Sequence, residues 1–289
     1  MQFINPSAEL ETSDSMMLEF MRIMEVAGRT CWQSQEQAED QIQKLLEDPK
    51  FDPDTYDGWR LFHPDHIGPG TEGRGDLYND RVTSATEAIN HRFLKGLVKV
   101  GHLSVLEHNA ITVRIITDRA VSHQLVRHRI GSYSQESQRY VGSHGHVTFI
   151  IPEGSGLESG FYHWDPGYPD GHGFCLSQTN SKGPDTEVDT NEWPEAGIPR
   201  TWVEAMQFAE DTYQTLRHTG VKKQDARSVL PNATKTEIVV TYNVSQWRHV
   251  LKTRLDPAAQ HDIRHIMGII LDKFMESPIA PLFEDIENG

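Results

Sequence analysis

The chain has 289 residues, 37% of them hydrophobic, and a formal charge of -15 at pH 7; that is enough length for a substantial core, and too acidic a balance for counterion-releasing contact with nucleic acid. No apolar run approaches the roughly 20 residues of a membrane span, and the opening MQFINPSAELETSDSMML lacks the basic start and apolar centre of a secretory signal. The expectation is a soluble, cytoplasmic chain without nucleic-acid or membrane partners, and Cys31 and Cys175 alone are too few for a disulfide framework or a thiolate zinc site.

In chain order, residues 49–80 have no lasting periodicity and read as an insertion; Gly70, Gly73 and Gly75 there lack the spacing and the following apolar helix of a phosphate loop. A capping box of Ser84 and Glu87 predicts a helix start, with Ile89, Phe93 and Leu97 on one face and a stop at Gly101. Ile111, Val113 and Ile115 then alternate with Thr112 and Arg114, as in a half-buried strand. Asp118 is placed to cap a helix running to about Arg129, on which Gln124, Arg127 and His128 share a face. HVTFIIP reads as a strand, and residues 152–200, with eight glycines and six prolines, read as a second insertion. Surface loops are the preferred reading of both insertions, with Trp164, Tyr168 and Trp193 leaving open a lid or subunit contact.

Thr201 and Glu204 predict the cap of a helix with Trp202, Met206, Ala209, Tyr213 and Leu216 as its apolar stripe. EIVVTYN is a strand, followed by a helix with Trp247, Val250 and Leu251 inward. Asp256 and Pro257 are expected to begin the last helix, burying Ile263, Met267, Ile270 and Phe274. Helices and strands mix without a regular βαβ repeat, which favours an α+β fold over a doubly wound one. A single domain spanning 1–289, interrupted near 49–80 and 152–200, is the simplest organisation.

For chemistry, Ser137 has no nucleophile elbow around it and Cys31 no activating motif, so a hydrogen-bonding serine and a packed cysteine are the preferred readings. His261 and His265 stand one turn apart in HDIRH, but Asp262 is shorter than the glutamate of a zinc-hydrolase helix and no third ligand follows; solvated histidines are preferred, as for His144 and His146, and no metal is expected. The basic residues of RHRIGSYSQESQRY stand out in so acidic a chain. Arg127, Arg129, Arg139, Arg227 and Arg254 lie beside polar partners in ordered segments, and two such guanidiniums suffice to hold a phosphate or another small anion.

At these residues the chain resembles the flavin-dependent thymidylate synthases. Their mark is Arg-His-Arg, seven residues and a serine, matched here by Arg127, His128, Arg129 and Ser137. Three further blocks agree in order: AGRTCWQS (27–34), GHLSVLEH (101–108) and DARSVLPNATKTEIVVTYNVSQWRHVLKTR (225–254), with AAQHDIRHI continuing into the last helix. The resemblance implies that family's fold, a mixed or antiparallel sheet packed with long helices, and a homotetramer with sites shared between subunits. It implies FAD as cofactor, NADPH as reductant, methylenetetrahydrofolate as carbon donor, and conversion of dUMP to dTMP without an enzyme thiolate.

By the same resemblance Gln124, Ser137, Gln138, Arg139 and Arg227 match positions holding the phosphate and sugar of dUMP, and Arg254 matches the residue at the uracil ring. Ser104, Glu107, Arg127, His128, Arg129, Asn243 and His249 match flavin contacts, and His102 matches a histidine on which the folate stacks. One departure exists. Some members carry glutamate two residues before the motif serine, where this chain has Gln135 followed by Glu136; glutamine can still donate and accept there. Two other readings remain open at this stage: a flavin oxidoreductase with a different acceptor, and a non-catalytic nucleotide-binding homologue.

Overall fold

The computed structural model describes residues 1–51, 77–140, 146–164, 174–178, 186–188 and 200–286. Strands β1 (Gln2–Ile4) and β2 (Ser7–Leu10) lead into helices α1 (Asp14–Trp32) and α2 (Gln35–Glu47). Helix α3 covers Leu77–Lys99, strand β3 Ile111–Asp118, helix α4 Arg119–Leu125, strand β4 Ser132–Gln135 and strand β5 Thr148–Ile150. Short strands β6 (Gly160–Phe161), β7 (His163–Trp164), β8 (Phe174–Gln178) and β9 (Thr186–Val188) follow. Helices α5 (Arg200–His218) and α6 (Lys223–Ala226), strand β10 (Lys235–Tyr242) and helices α7 (Val244–Arg254) and α8 (His261–Met275) complete the order.

The α+β expectation holds. Strands β2, β3, β10 and β4 form an antiparallel sheet in that order. Its inner face follows from period-two patterning, with Ile111, Val113 and Ile115 of β3 and Ile238, Val240 and Tyr242 of β10 buried. Against that face pack Met17, Met21 and Met24 of α1, Leu94 and Leu97 of α3, Trp247, Val250 and Leu251 of α7, and Ile263, Met267, Ile270 and Phe274 of α8. A second sheet pairs β1 in parallel with β5 and antiparallel with β6. It meets the Val203, Met206 and Tyr213 side of α5 in a smaller core, joined to the first sheet by a bridge between Phe149 and Thr234.

Several boundaries differ from the sequence reading. Helix α3 begins at Leu77, so Ser84 lies inside it, and the expected insertion at 49–80 gives up its last residues to a helical turn. Helix α5 begins at Arg200, which puts Thr201 within the helix instead of at its cap. Asp256 and Pro257 do not start α8: Asp256 accepts from the backbone N–H of Ala258 through Oδ1 and of Ala259 through its carbonyl, both at 2.8 Å, and this turn separates α7 from a helix that starts at His261. The region 152–200 carries β6 to β9, with β7, β8 and β9 paired antiparallel. The side chains of Trp164, Tyr168 and Trp193, together with Gly70, Gly73, Gly75 and His144, lie outside what is described. Among the described residues no helix is long and apolar enough to cross a membrane.

Candidate functional site

Two chain reversals build the site. At the end of β3, Asp118 Oδ1 accepts from Val121 N at 2.6 Å and caps α4. That helix stops at Leu125 and not near Arg129, so Arg127 and His128 sit in the turn beyond it and share no helical face with Gln124. The physical cause is tertiary. Tyr133 of β4 donates its hydroxyl to the Leu125 carbonyl at 3.1 Å and also meets the His128 carbonyl, taking over acceptors that a longer helix would use internally. Behind it stands Tyr242 of β10, with its hydroxyl 2.6 Å from that of Tyr133. Burial and Tyr133 hold the Tyr242 phenol well above its ordinary pKa, so the clasp stays protonated. The turn is tight: Ile130 takes a left-handed φ of 70°, and a Cβ on Gly131 would lie 2.1 Å from the Tyr242 ring.

The second reversal follows β10. Asn243 Oδ1 accepts from Gln246 N at 2.8 Å and caps α7, which carries His249 and Arg254 back toward the turn. Arg254 Nε donates to His128 Nε2 at 2.8 Å, and its other nitrogens reach Gln124 Oε1 at 3.4 Å and the Gln124 carbonyl at 3.5 Å. His128 is 8% exposed, and its ring lies edge-on to His249 with centroids 6.1 Å apart. Desolvation first, then the charges of Arg254 and His249, push its pKa down to about 4. His128 is therefore a neutral imidazole that accepts at Nε2, which leaves Nδ1 as its N–H. Gln124 is held in turn by Gln260 Oε1 at 2.6 Å.

Flanking the neutral histidine, Arg127 and Arg129 are exposed and line a cavity of about 260 Å³ with His123 and Val126. Ser104 and Glu107 lie on a 3-10 turn, Leu103–Glu107, anchored by buried Val105 and Leu106. Asn109, which sequence reasoning passed over, fastens that turn to α7: its amide donates to the Leu106 carbonyl at 2.7 Å and its Oδ1 accepts from Val244 N at 2.8 Å. Just before the turn, His102 faces the Trp32 ring at 5.3 Å.

The nucleotide candidates lie on two other segments, the one after β4 and the turn after α6. Ser137 Oγ accepts from Arg139 N at 3.3 Å, and the Arg139 guanidinium lies 5.5 Å from the Tyr140 ring. Arg227 donates Nε to the Gln224 carbonyl at 3.2 Å, and Gln138 is half-buried. Arg119, also missed in the sequence, has its pKa lowered by burial first and by the charge of Arg227 second. The nearby Glu136 carboxylate acts on Arg119 in the opposite sense. Gln135 commits its amide to Ser122 Oγ at 2.9 Å and Thr236 Oγ1 at 3.1 Å, while Glu136 accepts from Lys235 Nζ at 2.8 Å. Gln135 has no carboxylate to offer, and that of Glu136 is engaged by Lys235.

Of the remaining candidates, Cys31 is exposed and unpaired, not packed as its sequence suggested. His265 Nδ1 pairs with Glu153 Oε2 at 3.2 Å. Among the described residues no group of three or more His, Cys, Asp or Glu is placed to hold a metal ion.

The family model described as thymidylate synthase complementing protein matches residues 15–281. A flavin-dependent thymidylate synthase of Geobacter sulfurreducens is 34% identical over 198 residues, covering 68% of this chain and 69% of that one. One from Pyrococcus furiosus is 30% identical over 215 residues, covering 73% of each. Among solved structures, the UMP/dUMP methylase PolB of Streptomyces cacaoi bound with 5-Br dUMP is similar in fold, with a TM-score of 0.56 at 17% identity over 100% of this chain and 99% of that one.

Proposed function

The chain belongs to the flavin-dependent thymidylate synthase family, and from that premise we propose that it methylates dUMP to dTMP with FAD, NADPH and methylenetetrahydrofolate, as a homotetramer. The observation that carries the reading is the joint between Arg254 and neutral His128, which ties the Arg-His-Arg turn to α7. The donor set fits a flavin dinucleotide: exposed Arg127 and Arg129 suit its pyrophosphate, and the Ser104, Glu107, Asn243 and His249 side supplies hydrogen-bonding groups around an uncharged centre. When bound, the flavin supplies hydride chemistry.

The protein's own part is placement and electrostatics. Arg254 has its Nε committed to His128 and keeps its two terminal nitrogens, only loosely engaged by Gln124, for a uracil carbonyl. Its positive charge favours the negative charge that builds on the pyrimidine during reduction. His128 stays unprotonated above pH about 4, so it adds no competing cation. Ser137, Gln138, Arg139 and Arg227 with Arg119 hold the phosphate, Gln124 helps fix Arg254, and Gln135 contributes through its carbonyl oxygen. His102 is the platform for the folate. No side chain is asked to act as a nucleophile; bringing the three rings together does most of the work.

The flavin spectrum tests this directly. Purified protein given FAD should retain it and absorb in the flavin bands, and dUMP should perturb those bands with saturation. A protein that cannot retain FAD, or a bound flavin blind to dUMP, contradicts the proposal.

A further inference from the structure

A second cavity of about 320 Å³ opens where the end of α1, the start of α2 and the middle of α3 meet, lined by Arg29, Trp32, Ser34, Gln37, Arg92 and Phe93. Two of its polar side chains are buried without satisfaction. Arg29 is 5% exposed and Ser34 8%, yet Arg29 Nη2 and Ser34 Oγ have no hydrogen-bond partner. Arg29 is otherwise held firmly: Nε is paired with Glu25, and its guanidinium lies 4.4 Å from the Phe93 ring centroid. The left-handed Gln33 turns the chain so that Ser34 N donates back to the Arg29 carbonyl at 3.1 Å, which brings the two orphan groups to one corner. A buried guanidinium nitrogen without an acceptor is costly, and the residue that carries it borders a cavity large enough to admit an acceptor.

The other walls describe what that acceptor is attached to. Arg92 is exposed and adds a second cation, Gln37 offers an amide, and Trp32, 58% exposed, gives a flat aromatic surface. Trp32 also connects this cavity to the catalytic region, because its ring stands 5.3 Å from that of His102. We propose that the cavity binds carboxylate carried on an aromatic arm, and that the arm is the aminobenzoyl-glutamate end of the reduced folate. The identity of the arm rests on the function proposed above, with His102 as the folate platform; the carboxylate site itself does not.

Two probes separate the possibilities. p-Aminobenzoyl-glutamate, titrated calorimetrically into the FAD-loaded protein, should bind saturably, and Arg92→Ala and Ser34→Ala should weaken it by about fivefold or more, as expected for loss of a charge-assisted or buried hydrogen bond. In turnover, the same variants should raise KM for methylenetetrahydrofolate by a similar factor while KM for dUMP stays put. Arg92 is exposed, so its variant should fold even if an Arg29 substitution does not. Absence of p-aminobenzoyl-glutamate binding, or an unchanged folate KM in both variants, overturns the proposal. So does preferential binding of adenosine 2′-monophosphate, which would make this a phosphate site. If the wild type forms no dTMP but binds p-aminobenzoyl-glutamate in an Arg92-dependent way, the carboxylate site stands and the assignment of its arm to a folate falls.

Discussion

Arg254 and His128 are joined by a hydrogen bond on which the proposed chemistry rests, and each reports on the other. By the proposed reaction, Arg254→Ala should reduce dTMP formation by about 100-fold or more, the scale for losing one preorganised charge at a reacting centre, while FAD binding should persist. The same substitution removes a cation that depresses His128, so the imidazole should titrate above its native value of about 4, seen in its proton resonances against pH. An unmoved titration would mean that Arg254 does not face His128 in solution. His128 was legible because the spacing from Arg127 to Ser137 is visible in one dimension, and Arg254 because it ends the matching block at 225–254. Arg119 was not: it follows a capping aspartate and reads as an ordinary first helical residue, and only packing sets it against Arg227. The amide of Gln135 was equally hidden, since its partners Ser122 and Thr236 lie on different elements.

Helix and strand identities followed from periodicity, because β3 and β10 alternate cleanly and α7 and α8 each bury one stripe. Ends were another matter, since they depend on contacts across the fold. Helix α4 stops early because Tyr133 and Tyr242 both reach its last carbonyl, that of Leu125. α8 starts late because Asp256 spends its acceptors on a turn. Two stability measurements belong here. Gly131→Ala places a Cβ 2.1 Å from a buried, rigid tyrosine ring and should cost about 2 kcal/mol or more in urea unfolding, at the overpacking scale. Gln33→Gly should do the opposite: the α1 C-cap has φ 49°, and relieving a left-handed non-glycine residue should raise stability by about 1 kcal/mol.

Across the whole molecule, α3 is secured to the C-terminal segment. Lys95 Nζ meets Glu284 Oε2 at 2.5 Å, and nearby His91, 6% exposed, has its pKa lowered to about 4, chiefly by burial and then by Lys95. Between that value and the ordinary 6.5 the unfolded chain binds a proton that the folded chain does not. His91 therefore contributes stability that is present above pH 6.5 and lost as pH falls toward 4, amounting to at most about 3 kcal/mol. His128 acts in the same direction and over the same window. Urea midpoints should fall across that range, and less steeply for His91→Gln; a flat profile would show that folding leaves the pKa values of His91 and His128 near the ordinary one. At this scale the sequence conveyed the α+β class and the family but not the division into two packed cores, because the bridge from Phe149 to Thr234 joins segments far apart in the chain.

The most direct test of the proposed reaction is to combine the FAD-loaded protein with dUMP, NADPH and methylenetetrahydrofolate and to follow dTMP and NADPH together. The proposed reaction requires dTMP to appear, with NADPH consumed, only when both dUMP and the folate are present. NADPH oxidation without dTMP would indicate another acceptor, and dUMP binding without any oxidation would indicate a nucleotide-binding protein; either result would contradict it.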